Sequence, residues 1–232
     1  MRTLVNEIFI ISLKNVYKLS KKRTSLLLEK LKQFNFNLNN IHYVGIDGAS
    51  LKNKTINSKY ISNEIYDFNK NIGTLGCALS HLIVLKLIQL KKINDHVLIL
   101  EEDAMINKNF DFLYKYLPLD YDIIYLHSYD KNLFYKQTEY SNNFLFRKIN
   151  KPLDNKKNIP GGLQALLING KNINKILETI LPIKEAMDWH YLNFFDKLNF
   201  YYTNHKLNLI LNDPNFSSIR RAIDLKFNED TI

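Results

Sequence analysis

Residues 97–106 read VLILEEDAMI. Val97, Leu98, Ile99 and Leu100 form an unbroken apolar run, the pattern of a short strand buried on both faces. Glu101, Glu102 and Asp103 follow at once. Neighbouring carboxylates repel, and the end of a buried strand strips them of solvent. A divalent cation removes both penalties. Residues two positions apart on an extended or turning segment point to the same side, so Glu101 and Asp103 form a candidate metal pair. Oxygen donors of this kind suit Mn²⁺ or Mg²⁺, which keep waters and bridge to substrate phosphates. A solvated acidic loop is the competing reading. The buried strand before the acids and the basic balance of the chain favour the metal.

Working outward from this strand, apolar runs alternate with amphipathic ones. EIFIISLKN (7–15) reads as a first buried strand, and LSKKRTSLLLEKLKQF (19–34) as an amphipathic helix with Ser20 at its N-cap. IHYVGIDGAS (41–50) is a second strand ending in a turn at Asp47 and Gly48. GTLGCALSHLIVLKLIQLKK (73–92) is a long, largely apolar helix opened by Gly73 and Gly76. NFDFLYKYL (109–117) is a short helix and YDIIYLHS (121–128) a fourth strand. The polar region 130–159 holds loops and one strand at NFLFRKI (143–149). GGLQALLING (161–170) is a further strand, KNINKILETIL (171–181) and AMDWHYLNFF (186–195) are helices, and KLNLIL (206–211) is the last strand. This alternation predicts an α/β/α sandwich around a mainly parallel sheet. Residues 1–216 form one domain, and 217–232 a basic tail carrying Arg220 and Arg221. In such sheets ligands bind beyond the carboxyl ends of the strands, where the acidic triplet falls.

The composition narrows the partners. The 232-residue chain carries 32 Lys and Arg against 23 Asp and Glu, a net charge of +9, which favours anionic ligands or an anionic membrane surface. The lysines are dispersed, against a groove-reading nucleic-acid module. No apolar run reaches the roughly 18 residues of a membrane helix, and the IFIISL segment lacks a signal-peptide cleavage site. The single cysteine, Cys77, excludes an internal disulfide and reads as a small core residue. There is no G-x-x-x-x-G-K-S/T, and no G-x-G-x-x-G after a strand, so phosphate must be held by metal or basic side chains. The first strand ends in SLKN and lacks the D-x-D-x-T of aspartyl-phosphate hydrolases.

Gly73, Gly76, Cys77, Ser80 and His81, followed by a helix and then Leu98 to Asp103, resemble the G-x-x-G-C-x-x-S-H and L-I-L-E-D-D pattern of glycosyltransferase family 25, the lipopolysaccharide and lipooligosaccharide glycosyltransferases. Weaker likenesses extend from about residue 5 to 220: Leu13 and Arg23, the GIDGA stretch, YDIIYL, GGLQALLINGKNINKIL, and Asp188 after PIKEAM. The chain departs from the pattern at Glu102, where an Asp is usual, and at Leu85 and Leu166, where aromatics are common.

The resemblance implies a GT-A-like, Rossmann-like fold and a UDP-sugar donor, most commonly UDP-galactose. It also implies Mn²⁺ or Mg²⁺ dependence, transfer with inversion, and a glycolipid or oligosaccharide acceptor. The expected site of work is the cytoplasmic face of a bacterial inner membrane. On this reading Asp103, with Glu101 or Glu102, holds the metal on the donor diphosphate, and both glutamates count among the donor-binding residues, with contact to the ribose or anchoring of the loop as the alternative for Glu101. Asp188 is the base, with a plain helix cap as its alternative and His190 as runner-up. Ser80 and His81 open a helix and meet phosphate or ribose, or else cap and pack. Asp47 and Gly48 contact base or ribose, or form a tight turn. Arg23 reaches the diphosphate or is a solvated helix arginine. Gly161 and Gly162 allow close approach of the sugar, and Gln164 reads a hydroxyl. Asp122 and His127 bracket a strand and carry no assigned role beyond a weak metal contact at His127. A different metal-dependent nucleotide enzyme, nucleotidyltransferase-like, and a non-catalytic nucleotide-sugar-binding protein remain the alternatives.

Overall fold

A computed structural model describes residues 5–52, 56–107, 110, 117–127, 145–149, 162–203 and 209–211. Most of the expected helix at 109–117, most of 130–159, Gly161, and the tail with Arg220 and Arg221 lie outside the described residues.

The central sheet has seven strands: β1 (Val5–Ile11), β2 (Ile41–Val44), β3 (His96–Glu101), β5 (Ile123–Tyr125), β6 (Phe146–Lys148), β7 (Ala165–Asn169) and β8 (Phe200–Thr203). Their order is β2-β1-β3-β7-β5-β8-β6. Strands β1, β2, β3, β5 and β8 run one way, while β7 and β6 run against them. The sheet is therefore mainly parallel, as expected, with β7 as an antiparallel insertion at its centre. Two short strands, β4 (Met105–Ile106) and β9 (Ile210–Leu211), pair antiparallel beside it. The expected last strand thus contributes β9 to this small sheet. The main sheet instead takes the aromatic stretch FYYT as β8, between β5 and β6, a strand not expected from the sequence.

The strand period of two sorts side chains to two cores. Val97 and Ile99 face one core with α2 (Ile72–Leu90), α3 (Ile173–Ile180) and α4 (Met187–Leu192). Leu98 and Leu100 face the other, with Leu27 and Leu31 of α1 (Lys18–Gln33). Helices on both faces make the three-layer sandwich. By length and composition α2 passes for a membrane span, contrary to the sequence expectation. Here it lies against the sheet with Leu75, Ala78, Leu82, Val84, Leu85 and Ile88 buried in the first core.

Two glycines set how closely α2 approaches the end of β2. A Cβ on Gly48 would lie 1.8 Å from the Ile72 carbonyl oxygen, and one on Gly76 would lie 2.6 Å from that of Ile46. Both neighbours are backbone and cannot move aside cheaply. This contact fixes the height of α2 on the sheet, and so places Cys77 and His81 against the end of β3.

Candidate active site at the carboxyl edge of the sheet

The acidic triplet closes β3 in a turn. The Glu101 N–H donates to the Gln164 carbonyl at 2.8 Å, the Glu102 N–H to that of Ile11 at 3.0 Å, and the Ala104 N–H to that of Glu101 at 2.9 Å. The strand alternation is retained through the first two acids, so they part company. Glu101 goes to the α2 face and Glu102 to the α1 face.

Glu102 is buried and well supplied with donors. Its Oε1 accepts from Ser20 Oγ at 2.6 Å, its Oε2 accepts from the Leu13 N–H at 3.1 Å, and Arg23 Nη1 stands 3.7 Å from Oε1. This geometry ties the β1–α1 loop and the first turns of α1 to the end of β3. It corrects two expectations. Ser20 does not cap α1, whose N-cap is Tyr17, and Arg23 is neither solvated nor aimed outward but buried against Glu102. Glu102 and Arg23 hold the loop against the end of β3.

Glu101 meets α2 instead. Its Oε1 lies 3.6 Å from Cys77 Sγ and 3.3 Å from His81 Nε2. The expectation that Ser80 and His81 open a helix is corrected, because both lie mid-helix with their N–H groups inside α2. The Ser80 hydroxyl donates to the Gly76 carbonyl at 2.7 Å and accepts the Ile46 N–H at 2.9 Å, pinning α2 to the chain after β2. Its hydroxyl is committed within the fold. His81 is fully buried on the Glu101 side.

Asp103 and Asp188 complete an acidic group. Asp103 is buried, and its Oδ1 has no hydrogen-bond partner among the described residues. Burial, then the charge of Glu101, pushes its carboxyl up to about 7, against the pull of Arg23. Asp188 stands in the first turn of α4 and accepts the Trp189 N–H at 3.1 Å. Burial raises its carboxyl, with a further push from Glu101 and an opposing pull from His81. The Cys77 thiol is held well above its ordinary value by burial, then by Glu101, Asp188 and Asp103. These mutual influences place Cys77, His81, Glu101, Asp103 and Asp188 in one electrostatic neighbourhood. The Tyr125 hydroxyl lies 3.4 Å from the Asp188 carbonyl, and the buried Tyr191 hydroxyl is unpartnered among the described residues. The role of Cys77 and the two tyrosines was missed in the sequence. Cys77 sits four residues before His81, and that spacing was the available signal.

The remaining candidates divide. Asp47 caps the turn Gly48–Leu51, with Oδ1 accepting the Ala49 N–H at 3.0 Å and Oδ2 accepting from Tyr17 Oη at 3.2 Å. Gly48 serves the packing of α2. Gln164 sits where β7 meets the acidic turn, and Gly162 is buried just before it. Both ring nitrogens of His190 face backbone partners within the fold. Its Nε2 donates to the Ile180 carbonyl at 2.6 Å, its Nδ1 faces the Lys184 N–H at 3.4 Å, and burial lowers its pKa. It is a neutral clip between α3 and α4. His127 is buried with Nδ1 3.0 Å from the Ile210 carbonyl. Asp122 lies at the opposite edge of the sheet, paired with Lys175 at 2.6 Å.

Chemically, Asp103 and Glu101 offer hard oxygen donors, one with an orphaned buried oxygen. The charge of Glu101 bears on the buried Asp103 carboxyl, and a cation there would relieve that repulsion. That donor chemistry fits a divalent cation such as Mn²⁺ or Mg²⁺.

The solved structures similar to the chain include the galactosyltransferase LgtC in complex with donor and acceptor sugar analogues, at 13% identity over 87% of this chain and 68% of that one, with a TM-score of 0.36. An active-site mutant of LgtC is similar at 12% identity over 84% and 72%, with a TM-score of 0.38. Mouse xyloside xylosyltransferase 1, apo form, is similar at 10% over 88% and 80%, with a TM-score of 0.34. No curated protein matches. The profile described as Glycosyltransferase family 25 (LPS biosynthesis protein) matches residues 5–190, a span that takes in Cys77, His81, the acidic turn and Asp188. The chain belongs to glycosyltransferase family 25.

Proposed function

We propose that this glycosyltransferase moves a hexose, galactose first among the candidates, from a UDP-sugar to a lipopolysaccharide or lipooligosaccharide acceptor, with inversion and with Mn²⁺ or Mg²⁺ as cofactor. The observation that carries the reading is the gathering of Glu101, Asp103 and Asp188 beyond the carboxyl end of β3, with the Asp103 carboxyl pushed up to about 7. One buried acid with two half-buried ones beside it suits a cation on a diphosphate and a base next to it.

Asp103 and Glu101 are the metal ligands in this account. A divalent cation held there would offset the negative charge that develops on the departing nucleoside diphosphate. Asp188 is the base. The acceptor oxygen attacks the anomeric carbon from the face opposite the diphosphate, the bond to the phosphate oxygen breaks, and its electron pair leaves with UDP. The acceptor's proton passes to Asp188, whose raised pKa brings it nearer the working pH of a general base. Gln164, Gly162 and the Asp47 turn sit at the edge where donor contacts belong. Assignment of the chain to the inner face of a bacterial inner membrane rests on the net charge of +9 and the lipid-linked acceptor class. The basic tail 217–232 is assigned to closure over the donor or to acidic groups of the acceptor.

The test is a panel of UDP-sugars with a lipooligosaccharide acceptor, the anomeric configuration of the product being read by NMR. The account expects UDP-galactose to give a β-linked product, and Asp188→Asn to lose about 10²–10⁴-fold in turnover. A product of retained configuration, or an active Asp188→Asn enzyme, contradicts it.

A further inference from the structure

Cys77, His81 and Glu101 form a second kind of donor set beside the oxygen pair. Cys77 and His81 lie one helical turn apart on α2, so their side chains project to the same side. The end of β3 brings Glu101 Oε1 to 3.6 Å from Cys77 Sγ and 3.3 Å from His81 Nε2, and the three ligating atoms all lie within 4.8 Å of one another. Tetrahedral zinc bonded to one sulfur, one nitrogen and one oxygen at its usual bond lengths needs ligand separations of roughly 3.3–3.6 Å. Two of the three edges already have that length. Thiolate, imidazole and carboxylate are the donors of a zinc-class ion, whereas Mn²⁺ and Mg²⁺ favour oxygen. Three protein ligands leave a fourth position open.

We infer that Cys77, His81 and Glu101 constitute a binding site for zinc or a cation of its class, and that occupancy withdraws Glu101 from the oxygen site it shares with Asp103. The first half of the inference stands on geometry and donor chemistry alone. The second half, inhibition of sugar transfer by Zn²⁺, rests on the function proposed above.

The experiment uses the full chain, freed of metal and untagged, titrated with Co²⁺. Cys77 is the only cysteine, so a sulfur-to-cobalt charge-transfer band reports on this one residue. The expected result is a band that saturates at one ion per chain, is bleached by Zn²⁺ but not by excess Mn²⁺, and disappears in Cys77→Ser. His81→Gln and Glu101→Gln are expected to weaken binding at least tenfold. Absence of the band in the wild type overturns the site and leaves a hydrogen-bonded cluster in which thiol and imidazole merely hold Glu101. A band indifferent to His81→Gln and Glu101→Gln overturns it too. In a transfer assay with Mn²⁺, Zn²⁺ is expected to inhibit the wild type at least tenfold more strongly than Cys77→Ser. Equal inhibition overturns the regulatory half, and a band in a chain that transfers no sugar leaves the site standing and removes the function beneath it.

Discussion

Asp103→Asn separates the electrostatic reading of the acidic turn from a packing one. In the folded chain the Asp103 carboxyl is pushed from 3.8 up to about 7. The unfolded chain therefore releases this proton near pH 4, and the folded chain only near pH 7. Between those values the folded state binds more protons, so stability falls as pH rises and the loss is complete above pH 7. From pH 5 to pH 8 about two units of that window are crossed, at about 1.4 kcal/mol each, or about 3 kcal/mol in all. An amide does not titrate and escapes this loss. Any packing cost of asparagine is the same at both pH values and cancels in the comparison. For a chain of this size about 3 kcal/mol is about 6–12 °C in Tm. In EDTA, thermal melts of wild type and Asp103→Asn should move apart by that amount between pH 5 and pH 8, in favour of the variant. Parallel curves would refute the raised carboxyl assigned to Asp103.

Other perturbations address the framework. Glu102→Ala removes the anion facing buried Arg23 and the acceptor for Ser20 and Leu13, and should cost about 3 kcal/mol in urea denaturation while transfer keeps its metal dependence. Wild-type stability in that variant contradicts the anchoring role. Gly48→Ala places a Cβ 1.8 Å from the Ile72 carbonyl oxygen and should destabilise by about 1–3 kcal/mol or more, a loss visible in the same assay. His190→Ala leaves the Ile180 carbonyl without its donor and should lower stability by about 1–3 kcal/mol, with kcat of the folded enzyme within a few fold of wild type. A collapse of kcat in a stable His190→Ala protein would return that residue to the chemistry.

The sequence announced the layers more clearly than the connections within them. VLIL and IFII are apolar over consecutive residues, which only a doubly covered strand tolerates, and α1 and α2 carry helical periodicity for several turns. The direction of β7 was not legible, because alternation is identical for parallel and antiparallel pairing. FYYT at β8 is four residues long and carries no flanking turn signal strong enough to mark it. At the site, the gathering of acids after VLIL was legible, and so was Asp188 as a residue to watch. Arg23 and Glu102 are 79 positions apart, and nothing local in either segment shows that they bury together. Ser80 looked like a helix opener because hydroxyls favour caps. The fold instead runs α2 from Ile72, and the hydroxyl serves the Gly76 and Ile46 backbone. His190 was readable as an imidazole near an acid. Its two backbone partners depend on how α3 and α4 meet, which sequence spacing does not encode.

The central claim is that the acids after β3 hold a metal on a nucleotide. Calorimetry of UDP binding, with Mn²⁺ and with EDTA, on wild type and Asp103→Asn, tests it most directly. The account predicts binding by the wild type only with Mn²⁺, and loss of that binding in Asp103→Asn, which still melts cooperatively. Equal UDP affinity in EDTA, or undiminished Mn²⁺-dependent binding by Asp103→Asn, would contradict it.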